Sequence, residues 1–117
     1  MAVNVYDVAY DLEKAVRSSE EYNNLKQAYQ EVEADSSAKE LFDKFRNIQL
    51  ELQQKQMSGQ EISQQEVEQA QQTVAFVQQN PKIAKLMESE QRMSTLIAEV
   101  NKVVMKPLED IYGTVQQ

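Results

Sequence analysis

The 117 residues contain no cysteine, no histidine and no tryptophan, and only two glycines and two prolines. Without cysteine there is no disulfide, no thiolate nucleophile and no cysteine-held zinc or iron–sulfur centre. Without histidine the usual general base near neutral pH and the commonest metal ligand are missing. So few turn-forming residues argue against an all-β fold, which needs many turns. No apolar run approaches the ~20 residues that span a bilayer. The opening Met1-Ala2-Val3-Asn4-Val5-Tyr6-Asp7 has neither the basic start nor the apolar core of a secretion signal, and Ala2 replaces the glycine that myristoylation requires. The expectation is a cytoplasmic protein with no membrane association.

What is present favours helix. Hydrophobic residues make up 41% and charged residues 26%, with Ala, Glu, Gln, Lys and Leu abundant. The net charge of −7 and a pI near 4.6 repel nucleic acid at long range, so binding to nucleic acid is not expected. The length suits one domain, residues 1–117.

Apolar spacing and end signals predict five helices. The first, Val5 to Arg17, follows Asn4 as N-cap and carries Val5, Val8, Ala9, Leu12, Ala15 and Val16 on one stripe. Ser18 and Ser19 interrupt it, and Ser18 with Glu21 has the form of a capping box. The second, about Glu20 to Glu33, carries Tyr22, Leu25, Ala28, Tyr29 and Val32. The third, about Ser36 to Met57, follows Asp35 and closes at Ser58-Gly59. The fourth begins at Ser63, with Glu66 completing a capping box and Ile62 and Val67 placed as a hydrophobic staple, and it shows Val67, Ala70, Val74 and Val77. The fifth, about Pro81 to Tyr112, starts after Asn80. It bears two adjacent apolar rows, one of Ile83, Met87, Ile97, Val104, Leu108 and Ile111, the other of Leu86, Met93, Leu96, Val100 and Val103. A face that wide should be packed on two sides. Pro107 lies inside the pattern and should kink or split the helix. A polar cap, an apolar residue at +3 and a leucine at +6 recur in Ser19/Tyr22/Leu25, Asp35/Ala38/Leu41 and Asn80/Ile83/Leu86. An internal repeat is one reading; the ordinary start of an amphipathic helix is the preferred one.

The glutamine-rich stretch QLELQQKQMSGQEISQQEVEQAQQTV is therefore two helix ends and a turn, not a low-complexity tract. It makes residues 36–79 an antiparallel helix hairpin. A third helix ~33 Å long exceeds the ~13–14 Å radius of a compact chain of this size, so the hairpin is expected to protrude. A thin apolar stripe near its tip calls for cover by a second copy or a partner. The fold expected is an elongated all-α bundle with a long protruding hairpin. A homo-oligomer is expected, a dimer first, through a surface drawn from Ile48, Leu52, Met57, Val67, Val74, Met93, Leu96, Val100 and Val103. The alternative is a monomeric bundle with the hairpin folded back.

Catalytic patterns are weak. Ser36-x-x-Lys39 lacks the motifs that accompany a serine nucleophile and sits in a capping cluster. Carboxylates at helical spacing, such as Asp7 with Asp11, lack the histidines of a bundle metal site and read as solvated faces. Lys82, Lys85, Arg92, Lys102 and Lys106 are interleaved with glutamates and so read as surface pairing, not as a phosphate stripe. No cofactor, metal or catalytic residue is expected.

Three segments, VYDVAYDLEKAVRSSEEYNNLK, AKELFDKFRNIQLELQQKQMSGQEIS and IAKLMESEQRMSTLIAEVNKVVMKPLEDIY, resemble the YheA group of the YlbF/YmcA family of small bacterial helical proteins. The resemblance covers nearly the whole chain, most specifically at LQQKQMSGQEIS and MKPLEDIYG. It implies an all-α, self-associating, non-enzymatic protein. For the wider family it implies partners linked to RNA degradation, competence, sporulation and biofilm formation. The cysteines that hold iron–sulfur clusters in some relatives have no counterpart here. The preferred function is thus a protein-interaction or adaptor role. A ligand-binding or enzymatic bundle using Asp, Glu, Tyr or Lys is the alternative, and direct RNA binding is third.

Overall fold

The computed structural model describes residues 3–113, so the Met1-Ala2 start lies outside the described residues. They form five α-helices, α1 (Val5–Arg17), α2 (Glu20–Glu33), α3 (Ser36–Ser58), α4 (Gln64–Gln79) and α5 (Pro81–Tyr112), with no strand among them. The chain forms two compact units. One comprises the chain up to Leu25 together with the chain from Ser89 onward; the other is Lys26–Glu88.

Each helix begins where a short polar side chain takes up amide groups that no preceding turn can accept. Asn4 accepts from the Tyr6 N–H at 3.0 Å, and Asp35 from Ser37 and Ala38 at 3.1 and 3.2 Å. Asn80 accepts from Lys82 and Ile83 at 3.1 and 3.2 Å. The Ser63 box is closed both ways: Glu66 N–H donates to Ser63 Oγ at 3.1 Å, and Ser63 N–H to the Glu66 carboxylate at 3.2 Å. The box expected from Ser18 and Glu21 does not form. Ser18 ends α1 in helical geometry, so its hydroxyl donates backwards to the Lys14 carbonyl. Ser19, one residue on, accepts from Tyr22 N–H at 3.1 Å and caps α2.

In the Lys26–Glu88 unit, α3 and α4 pack side by side as the hairpin. Gly59 turns the chain with φ 75°, its N–H donating to Gln56 and the Gln60 N–H to Lys55, a Schellman closure that satisfies two carbonyls at the end of α3. The core lies at the opposite end of the hairpin. Phe42 and Phe45 of α3 and Val77 of α4 are buried there with Val32 of α2 and with Ile83 and Leu86 of α5. Lys82–Asp35 (3.0 Å) and Lys85–Glu31 (3.7 Å) ion pairs flank the start of α5. Burial then falls along α3: Ile48 and Leu52 are half-buried, and Met57 is 82% exposed. Near the tip a Lys55–Glu66 ion pair joins the two helices.

Thr73, not Val74, faces the core. Thr73 is 3% exposed and donates its hydroxyl to the Gln69 carbonyl at 2.9 Å, whereas Val74 is 37% exposed. Self-bonding to its own helix lets a threonine occupy an apolar position. Pro107 does not split α5, which runs on to Tyr112. The carbonyl deprived of its partner belongs to Val103, an exposed position where water can replace the lost donor.

Candidate interaction site

In the unit formed by the chain up to Leu25 and from Ser89 on, apolar side chains outnumber the cover available to them. No residue of α1 is buried. Its stripe is assembled by spacing, since Val5, Val8, Leu12 and Val16 recur every three or four residues and so share one face. Val5 is 73% exposed, and Val8 and Leu12 are exposed as well; Tyr6 and Tyr10 are exposed too, on other sides of the helix. Only Val16 is half-buried.

On α5 the two apolar rows have different fates. Ile83, Leu86 and Ser89 are buried, and Met93, Leu96 and Val100 are half-buried, so one row is covered as far as Val100. The other is buried only at Ile83. From Met87 on it is uncovered, through Ile97, Val104 and Leu108 to Ile111, which is 72% exposed. Val103 is exposed too, so beyond Val100 both rows face solvent. Two-sided packing of α5 is thus half realised within one chain.

The interface residues expected from sequence are distributed accordingly. Ile48, Leu52, Met93, Leu96 and Val100 are half-buried, while Met57, Val67, Val74 and Val103 are exposed. Five belong to the hairpin and four to the later part of α5. The stripe of α1 was absent from that set, although its spacing marks it as clearly as any in the chain.

Electrostatic features are structural in character. The Asp35 carboxyl is held below its ordinary value by the hydrogen bond from Lys82 and then by the Ala38 amide. That of Glu66 is lowered by Lys55 and by the Ser63 amide. Both are capping residues. Tyr29 is raised by its hydrogen bond to Glu33. A cleft of about 340 Å³ opens where Glu20, Glu21 and Asn24 of α2 face Arg92, Thr95 and Glu99 of α5. Among the described residues no three acidic side chains are grouped to hold a metal ion, and no helix is long and apolar enough to cross a membrane.

Residues 5–109 match the family model described as "Control of competence regulator ComK, YlbF/YmcA". A UPF0342 protein of Bacillus pumilus is 67% identical over 117 residues, covering 100% of this chain and 99% of that one. The UPF0342 protein YheA of Bacillus subtilis is 66% identical over 116 residues, covering 99% of each. Among solved structures, a protein of unknown function (DUF964) from Bacillus stearothermophilus superposes with TM-score 0.85 at 46% identity, covering 96% of this chain and 98% of that one. The structure of yheA from Bacillus subtilis superposes with TM-score 0.74 at 55% identity, covering 94% and 100%. The all-helical architecture and the similarity along the full length agree, and the chain belongs to the YlbF/YmcA family.

Proposed function

We propose that this chain, as one all-α domain over residues 1–117, is a non-enzymatic interaction protein of the cytoplasm that self-associates and docks a protein partner. The observation that carries the reading is the apolar surface left uncovered on α1 and on α5 beyond Val100. Soluble monomers rarely leave a large apolar surface in water unless it is an interaction site. The absence of histidine and cysteine from the sequence removes the residue types that most often perform catalysis at neutral pH. The family description supports a regulatory role connected with competence, exercised through protein contacts. The net charge of −7 makes nucleic acid a poor partner.

Tagged capture from the native cytoplasm, with mild crosslinking and nuclease treatment before mass spectrometry, tests this reading. A reproducible, nuclease-resistant protein partner supports it. Loss of every partner on nuclease treatment overturns it in favour of an RNA-bound role.

A second reading rests on the cleft between Glu20 and Arg92, whose lining includes carboxylates and a guanidinium. It predicts that a small polar ligand raises the melting temperature, and that Arg92→Ala abolishes the rise.

A further inference from the structure

We infer that the cleft of about 340 Å³ between α2 and α5 binds a free amino acid with a cationic side chain, of the lysine or ornithine class. This rests on the second reading above and names its ligand. Every lining residue belongs to the unit formed by the chain up to Leu25 and from Ser89 onward. Three observations lead to it.

The first is a hydroxyl with nothing to bond. Ser89 is 8% exposed and lines the cleft. Inside a helix such a hydroxyl ordinarily donates to the carbonyl one turn back, as Thr95 in the same lining does to Gln91 at 3.0 Å. Ser89 makes no such bond. Nor is its oxygen sealed in, since among the described residues no enclosed side-chain oxygen lacks a partner. The little surface that Ser89 shows therefore opens into the cleft, where a polar group of a ligand satisfies it.

The second is charge. Glu20, Glu21 and Glu99 line the cleft, and among the described residues none of them makes an ion pair or a side-chain hydrogen bond. Glu21 is half-buried, and a carboxylate partly withdrawn from water calls for a cation. These carboxylates do not converge on a metal site, because among the described residues no three acidic side chains are grouped to hold one. Among the described residues of the lining Arg92 alone is cationic. It already has an interaction within the fold, and its five N–H donors leave others for a ligand carboxylate. A ligand with one carboxylate and two ammonium groups meets both signs. A neutral amino acid would leave two carboxylates without a counter-charge, and a diamine would bring nothing for Arg92.

The third is shape. Ser89, Arg92, Leu96 and Glu99 recur every three or four residues and share one face of α5. Arg92 and Glu99 are two turns apart, a rise of about 10 Å, with the half-buried Leu96 between them. An aliphatic stem with a charge at each end lies along that row, its methylenes on the leucine. A volume of about 340 Å³ is at the small end of ligand sites, which suits an amino acid better than a nucleotide.

The test uses Ser89→Cys, which puts a single thiol into the cleft of a chain that has none. Its alkylation by iodoacetamide in the full-length chain is followed by mass spectrometry. L-Lysine should protect the thiol. The analogue 1,5-diaminopentane lacks the carboxylate and L-norleucine lacks the side-chain ammonium, so each should need about tenfold more for the same protection, the worth of one charged hydrogen bond. Equal protection by either analogue overturns the inference. So does a reactive thiol that L-lysine leaves unprotected; the cleft is then open, and the broader small-ligand reading stands. A thiol that reacts only in urea shows a closed cleft and sinks both. On the unmodified chain L-lysine should raise the melting temperature, and Arg92→Ala and Glu99→Gln should each reduce that rise while keeping the helical circular dichroism. A rise of the same size in both variants places binding elsewhere and overturns the inference.

Discussion

Leu86→Ala and Leu108→Ala are the same chemical change on the same helix, at positions 0% and 45% exposed. Helix propensity changes equally in the two, so their difference reports cover alone. At Leu86 the lost carbons are worth about 0.8 kcal/mol each, some 2.4 kcal/mol in transfer free energy. The cavity left in the buried core raises the cost to about 3–5 kcal/mol. At Leu108 about half of the transfer free energy is already forfeited to solvent and no closed cavity forms, so an isolated chain should lose only about 1 kcal/mol. Urea unfolding followed by circular dichroism measures both. If a second copy covers Leu108, its cost grows with protein concentration over about a hundredfold range while that of Leu86 does not, because association stabilises by mass action. Equal costs at the lowest concentration would refute the uncovered state of α5. A Leu108 cost unmoved by concentration would refute cover by a second copy.

Other substitutions probe the hairpin. Ser63→Ala removes the acceptor for the Glu66 amide and should cost about 1 kcal/mol; an unchanged melting temperature would mean that the start of α4 is misplaced. Gly59→Ala meets no neighbouring atom but must hold φ 75°, so it should cost about 1–2 kcal/mol by backbone strain alone, with Gly59→Asn costing less. Thr73→Val should be neutral within about 0.5 kcal/mol or stabilising, since the Gln69 carbonyl keeps its helical bond; a larger loss would show that the hydroxyl serves something else. Acid should loosen the starts of α3 and α4. Asp35 and Glu66 have pKa values lowered in the fold, so their stabilisation is complete above the ordinary values of 3.8 and 4.5 and drains away as pH falls through the lowered ones. The melting temperature should therefore drop below about pH 4.5, and less steeply in Asp35→Asn, which keeps a cap without a titrating group.

Helix ends were legible in the sequence because they are decided locally. Asn4, Asp35, Ser63 and Asn80 each cap where a side-chain oxygen two or three residues upstream of a free amide must. Of the two adjacent serines, the box pattern pointed to Ser18 and the recurring start pattern to Ser19; Ser19 is the cap, because the Ser18 hydroxyl is spent on closing α1. Faces were harder. Thr73 and Ser89 occupy core positions that a search for apolar residues passes over, and a hydroxyl becomes acceptable there by bonding its own helix, as Thr73 does, or by opening onto a cleft, as Ser89 does. The hardest to read was cover. The spacing shows that α1 and α5 have apolar faces, but whether another part of the chain reaches them is a matter of tertiary geometry. The unclaimed α1 stripe is the result.

The falling burial along the hairpin sets the order in which it comes apart. Amides of α3 near Phe42 can exchange with solvent only when the whole core opens, whereas those near Met57 need only the last turns and one ion pair to part. Deuterium uptake should thus advance from the Gly59 turn toward Ala38, and an inserted reporter or protease site would be borne best between Gly59 and Ile62.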